Sequence, residues 1–287
     1  MIENFIYQRE KSNRKIRICE GNTMLECIAK NINILGDFCG KRDIAELTSE
    51  QLLKNYRIPQ VDIMVLFGGS IMCGVDVLAQ AMKNHIAKKY VIVGGAGHTT
   101  ETLRLKMHER FSDIETVGLS EAEVFAKCLK HQYGLEPDFL ECKSTNCGNN
   151  VTYLLDLLKE NGISFSSIII SQDATMQYRM EAVLRKYVSD NIKIINYAVY
   201  SAKVIVDNFT LTYEKEICGM WDINRYISLL MGEIPRLSDD ENGYGPKGKD
   251  FIVHIDIPLE VRNAFDELCN KYSGLIREAN PLYASSK

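Results

Sequence analysis

Four short polar stretches hold most of the residues able to bind or react: GGSIMCG (68–74), GGAGHTT (94–100), KSTNCGNN (143–150) and SQDATMQYR (171–179). Each follows an apolar run and precedes an amphipathic one. Glycines in such turns let backbone N–H groups approach a ligand, and the helix that follows favours an anionic group at its start. Gly68, Gly69, Ser70, Gly94, Gly95, Gly97, His98 and Thr99 are expected to form the floor of a pocket, with Asn146, Asn149, Asn150 and Gln172 as polar walls. Turn glycines followed by helix-capping threonines are the plainer reading of GGAGHTT. His98 has the chemistry of a general acid or base, or of a phosphate donor. Asp173 ends an apolar run, where catalytic carboxylates often lie, and Thr175 follows closely enough for Asp173 to be a helix cap instead. In SEAE (120–123) the spacing of Ser120 and Glu123 is that of a capping box, which leaves Glu121 as the better site residue. Glu121, Asp173 and His98 are the catalytic candidates.

Neither glycine turn is a standard fingerprint. Both lack G-x-G-x-x-G and G-x-x-x-x-G-K-S/T, so an ordinary NAD domain or P-loop NTPase is disfavoured. The acid expected at the end of the second strand for ribose hydroxyls is missing too. The nine cysteines form no C-x-x-C pair, which argues for reduced thiols in a cytoplasmic protein and against a disulfide framework or a zinc site. No metal is expected. The net charge of −4, without a basic stripe, argues against nucleic acid as partner. No stretch has the ~20 apolar residues that span a bilayer, so membrane insertion is not expected, and the N-terminal residues do not read as a signal peptide.

These residues must be positioned by an alternating chain. Short apolar runs at 61–67, 90–93, 138–142, 167–171 and 193–199 are separated by amphipathic stretches at 74–87, 100–110, 120–132, 148–160 and 175–187. That rhythm predicts an α/β protein: a Rossmann-like doubly wound parallel sheet with helices on both faces, plus a smaller, mainly helical C-terminal unit. All the strand-to-helix loops then fall at one sheet edge, where ligands bind. Residues 1–60 read as helical and are expected to pack with the C-terminal unit; 61–200 form the ligand-binding domain; 201–287 form the smaller domain. In that domain WDINRYISLLMGEI reads as a helix, FIVHIDI as a strand, and PLEVRNAFDELCNKY as a helix opened by Pro258. The loop RLSDDENGYGPKGKD (236–250) reads either as a lid that brings Tyr244, with Lys247 or His254, to the pocket, or as a surface turn whose tyrosine packs locally.

In this order, the strand into GG near 68, VGGAGHTT, SEAE, STNCGNN and QDATMQYR resemble the bacterial SanA/YdcF/ElyC family. WDINRYISLLMGEIPRL and DDENGYGPKGKDFIVHIDIP are similar to the C-terminal region of its YdcF branch. The resemblance covers about residues 20–270. It implies a Rossmann-like domain with a smaller second domain, and the YdcF branch is associated with S-adenosylmethionine binding. The expectation is a protein that binds S-adenosylmethionine or a related nucleoside, with methyl or other group transfer as the first guess at a reaction. The rivals are a hydrolase or transferase acting on a phosphorylated compound, with Glu121 or Asp173 as base and Arg179 with the glycine loops on phosphate, and a nucleoside sensor without catalysis.

Overall fold

The uninterrupted apolar runs become strands because helices cover them on both sides. In the computed structural model, which describes residues 23–97, 99–272 and 274, five strands form one sheet. They are β1 (Val61–Phe67), β2 (Ala87–Val93), β3 (Phe139–Glu141), β4 (Ser167–Ser171) and β5 (Lys193–Asn196). Their order is β3-β2-β1-β4-β5, and every neighbouring pair is parallel. β2 starts earlier than its apolar run, because Lys88 and Lys89 reach Asp62 and Asp138 at that end.

The connecting helices are α3 (Cys73–Lys83), α4 (Thr100–Arg110), α5 (Glu121–Tyr133), α6 (Cys147–Glu160) and α7 (Gln177–Tyr187). α3 packs on α5, and α6 on α7. Right-handed crossovers that run outward from β1 in opposite directions place these pairs on opposite faces of the sheet. The fold is the Rossmann-like α/β arrangement that the alternation predicts.

The N-terminal reading holds in part. Helices cover residues 23–39 (α1) and Ser49–Tyr56 (α2), while residues 1–22 lie outside the described residues. Between the two helices the chain is not helical: it makes one bridge at Arg42 and then a run of bends. Lys41 C=O accepts from Ala198 N–H and Asp43 N–H donates to Asn196 C=O, so this segment covers the open edge left by β5. α1 docks on the C-terminal unit. The Asn33 side chain exchanges two hydrogen bonds with the backbone of Val204, and Asn31 Nδ2 donates to Glu267 Oε2 at 2.6 Å.

That unit contains an unforeseen hairpin, β6 (Val204–Asp207) and β7 (Thr210–Tyr213), followed by α8 (Ile223–Leu237) and α9 (Leu259–Tyr272). The hairpin turn, Asn208-Phe209, has φ of 46° and 59°. Those angles belong to the tight hairpin turn that glycine usually announces, and there is no glycine here. The strand expected at FIVHIDI does not form. Its Phe251 and Ile252 amides turn to Tyr244 C=O and Val253 to Ala182 C=O, while Ile252, Ile255 and Ile257 are buried. The eight cysteines among the described residues are free thiols. No described helix is long and apolar enough to cross a membrane.

Candidate functional site

Strand order reverses between β1 and β4, so the chains that leave these two strands turn to opposite faces and open a crevice at the strand C-termini. A cavity of about 510 Å³ lies there, within the size usual for small-molecule sites. The glycine turns and the 144–150 and 172–175 loops form one side; α7 with its cap, α8 and residues 244–252 form the other.

Glu121 sits in the middle of the glycine side. Its N–H donates to Gly95 C=O, which brings its side chain between the ends of β1 and β2. There Oε1 accepts from Thr100 Oγ1 at 2.9 Å and Thr99 Oγ1 at 3.2 Å. A Cβ on Gly68 would lie 2.6 Å from Glu121 Oε2, and one on Gly94 would lie 3.0 Å from Glu121 Cβ. These two glycines therefore make room for a carboxylate. Gly95 has a third duty, since a Cβ there would strike the backbone of Lys143 and Ser144. In the two glycine turns, Gly69 and Gly97 line the cavity without such crowding, a Cβ on each lying no nearer than 3.5 Å to Gln172 Oε1 and 3.8 Å to Thr145 C=O. Burial pushes the Glu121 carboxyl above the usual range, with the two threonine hydroxyls and Arg104 pulling the other way. Glu123 closes a capping box with Ser120, as its spacing predicts. Thr99 does not cap α4; its hydroxyl serves Glu121 instead.

Asp173, just past the end of β4, is an organiser of the loop that follows it. Oδ1 accepts from Thr175 N–H and hydroxyl and from Tyr200 at 2.7 Å, and Oδ2 accepts from Trp221 Nε1 at 3.0 Å. Asp173 thereby pins the indole of Trp221 to the cavity wall. Ser70, only 1% exposed and lining the cavity, has a hydroxyl with no hydrogen-bond partner among the described residues. Asn146 caps α6 by accepting from Asn149 N–H at 3.0 Å and lines the cavity with Asn150; Asn149 is its capping partner and does not line it.

The second wall follows helical spacing. Met176, Arg179, Val183 and Tyr187 come from α7 and its cap, and Arg225, Leu229, Glu233 and Arg236 from α8. Arg179 and Glu233 form a bidentate pair across these helices, Nε–Oε2 2.5 Å and Nη2–Oε1 3.0 Å, with side chains 12% and 5% exposed. Arg179 Nη1 also donates to Cys147 Sγ at 3.1 Å. Burial raises the Cys147 thiol above its ordinary range against the pull of Arg179, so it is a neutral acceptor.

Residues 236–250 do reach the cavity, through Tyr244 and Lys249. Lys247 and His254 do not line it. His254 is exposed and bridges Asp239 (2.6 Å) and Asp256 (3.0 Å), while the Lys247 amide donates to Asp239 Oδ1 at 2.7 Å. The loop is cross-bonded internally: Tyr244 N–H to Arg236 C=O, Gly245 to Ser238, Lys249 to Gly243 and Asp250 to Gly245.

Of the residues singled out from sequence, Gly68, Gly69, Ser70, Gly95, Gly97, Thr99, Glu121, Asn146, Asn150, Gln172, Asp173 and Tyr244 line one cavity. Gly94 stands behind Glu121, and His98 lies outside the described residues. Trp221, Arg225, Glu233, Arg236 and Lys249 were missed. The available signal was a 4-4-3 spacing of Arg225, Leu229, Glu233 and Arg236 on a helix whose Glu233 falls among apolar residues. Compared with models of known protein families, the chain matches none.

Proposed function

We propose that the protein binds S-adenosylmethionine or a closely related adenine nucleoside in this crevice, with group transfer as the reaction if it is an enzyme. The observation that carries the reading is the buried carboxylate of Glu121 at the C-terminal edge of the sheet, between the ends of β1 and β2. No acid ends β2, but Glu121 arrives at the same edge from α5, an acceptor suited to a ribose diol. The unpartnered Ser70 hydroxyl and the uncrowded Gly69 and Gly97 beside it support a polar ligand approached closely by backbone. The resemblance to the YdcF branch supports the adenine nucleoside in particular. A hydrolase using Asp173 as base and Arg179 on phosphate is less well supported, because both groups are already engaged by protein partners.

Gly69→Val tests the reading. Its Cβ would meet only Gln172 Oε1, at 3.5 Å, so the branched side chain fills the cavity without striking backbone. Calorimetry should show saturable S-adenosylmethionine binding to the wild type and at least a tenfold loss, about 1.4 kcal/mol, in the variant. Its melting temperature should stay within about 2 °C of wild type. Absence of saturable binding to the wild-type protein by S-adenosylmethionine, S-adenosylhomocysteine and adenosine alike would sink the reading. Gly95→Val is unsuitable as a test, since it would break the 143–144 contact first.

A further inference from the structure

The wall facing the glycine turns is basic, in a chain whose net charge is −4. Four cationic residues line the cavity: Arg179, Arg225, Arg236 and Lys249. The carboxylates that line it are committed elsewhere. Glu233 is held by Arg179, Asp173 is covered by donors from Thr175, Tyr200 and Trp221, and Glu121 lies across the cavity against Gly68. Arg225 and Lys249 have no acidic partner among the described residues. Each lies over an aromatic ring instead, Arg225 at 5.6 Å from the Trp221 ring centre and Lys249 at 5.2 Å from that of Tyr244. Leu229 and Phe251 supply apolar surface next to them.

Each of these features favours an organic anion. A guanidinium laid on an indole keeps its N–H edge available for a bidentate bond to an oxyanion, and the ammonium adds a point charge. The aromatic and aliphatic neighbours shield the half-buried Arg225 from water, which strengthens its interaction, and accommodate a hydrophobic body, while Lys249 stays exposed. The Arg179–Glu233 pair behind them is neutral as a unit and fixes the distance between α7 and α8.

We propose that this wall is an anion subsite, taking a phosphate or carboxylate borne on an apolar or aromatic body. The proposal rests on the crevice being the ligand site, as argued above, and deepens that reading by placing a negative group opposite the glycine turns. Two sources share this chemistry: the carboxylate tail of the nucleoside ligand, or a separate second substrate.

Trp221 is the only tryptophan of the chain and stands in this wall, so its fluorescence reports the subsite directly. Phenyl phosphate is the probe and benzyl alcohol its uncharged control. A saturable change in Trp221 emission with phenyl phosphate, absent or at least tenfold weaker with benzyl alcohol, is expected. Arg225→Gln and Lys249→Gln should each raise the dissociation constant for phenyl phosphate about tenfold, the effect of one lost charged hydrogen bond, and higher salt should weaken it in wild type. Lys249 is exposed, so Lys249→Gln serves as a folded variant even if Arg225→Gln does not fold. No saturable response, equal affinity for benzyl alcohol, or wild-type affinity in the folded variants would overturn the proposal.

Competition separates the sources. Displacement by S-adenosylmethionine but not by 5′-methylthioadenosine, which has no carboxylate, assigns the subsite to the ligand's own tail. Displacement by neither assigns it to a second substrate. Displacement by both means that the anion sits on the nucleoside floor, against the proposal. Phenyl phosphate binding that meets every expectation while no nucleoside binds by calorimetry leaves the subsite standing and removes only the nucleoside reading.

Discussion

Glu121 and Glu123 stand two residues apart in the first turn of α5, and only Glu121 is buried. Glu123 Oε2 accepts from Ser120 N–H and from Ser120 Oγ, each at 2.7 Å, and these bonds hold its carboxyl below the usual range. Glutamine keeps an acceptor at this position, so Glu123→Gln should cost less than about 1 kcal/mol in thermal or urea unfolding. Glu121 behaves in the opposite sense. Burial raises its folded carboxyl above the ordinary 4.5, so the unfolded chain ionises first. Stability from this group is therefore full below about pH 4.5 and falls as pH rises through the folded value. Glu121→Gln removes that slope: melts should show the variant gaining on the wild type between about pH 4 and pH 7, with ligand affinity reduced. A pH-independent difference would mean that Glu121 stays in one charge state across that range. The capping box was legible because Ser-x-x-Glu acts within one turn. The duty of Glu121 was not, because it depends on two strand ends lying side by side, with Gly68 and Gly94 cleared for it.

At the scale of elements, α7 and α8 are joined by one buried ion pair, and breaking it should be expensive. Glu233→Leu strands the Arg179 guanidinium and should lower stability by about 3–5 kcal/mol in urea unfolding. Arg179→Met added to Glu233→Leu should recover most of that loss, because the pair as a unit contributes far less than either charge left alone. Both helices could be read from their periodicity. Their pairing could not, since Arg179 and Glu233 are 54 residues apart. The 236–250 loop gives a different lesson. Its glycines read as flexibility, but a Cβ on Gly243 or Gly248 would strike the carbonyl of Ser238 or Asp240, and one on Gly245 would lie 2.6 Å from Asp239 Oδ1. They allow close packing. Gly243→Ala should therefore destabilise the protein, by about 1–3 kcal/mol, and speed tryptic cleavage at Lys247. Tyr244→Ala, on the same loop, should weaken ligand binding without opening the loop, since Tyr244 contributes its backbone to the cross-bonds and its ring to the cavity.

For the molecule as a whole, alternation of apolar runs and amphipathic stretches was enough to give the parallel sheet and the edge at which ligands bind. What lay beyond it were contacts between distant segments: the strand order, residues 41–43 paired with the end of β5, and the basic wall brought by α8. The docking of α1 is the most distant of these, and it bears on how the protein is made. Asn33 bonds Val204, and a Cβ on Gly36 would lie 2.8 Å from the Tyr226 hydroxyl. Synthesis proceeds at roughly 5–20 residues per second, so the last residue of α1 is made roughly 10–40 s before Tyr226. During that time Ile28, Ile32 and Leu35, all buried in the finished protein, have no C-terminal unit to cover them. Nascent chains stalled at residue 200 should be captured by a hydrophobic-surface chaperone at α1, and chains stalled beyond α9 should be released.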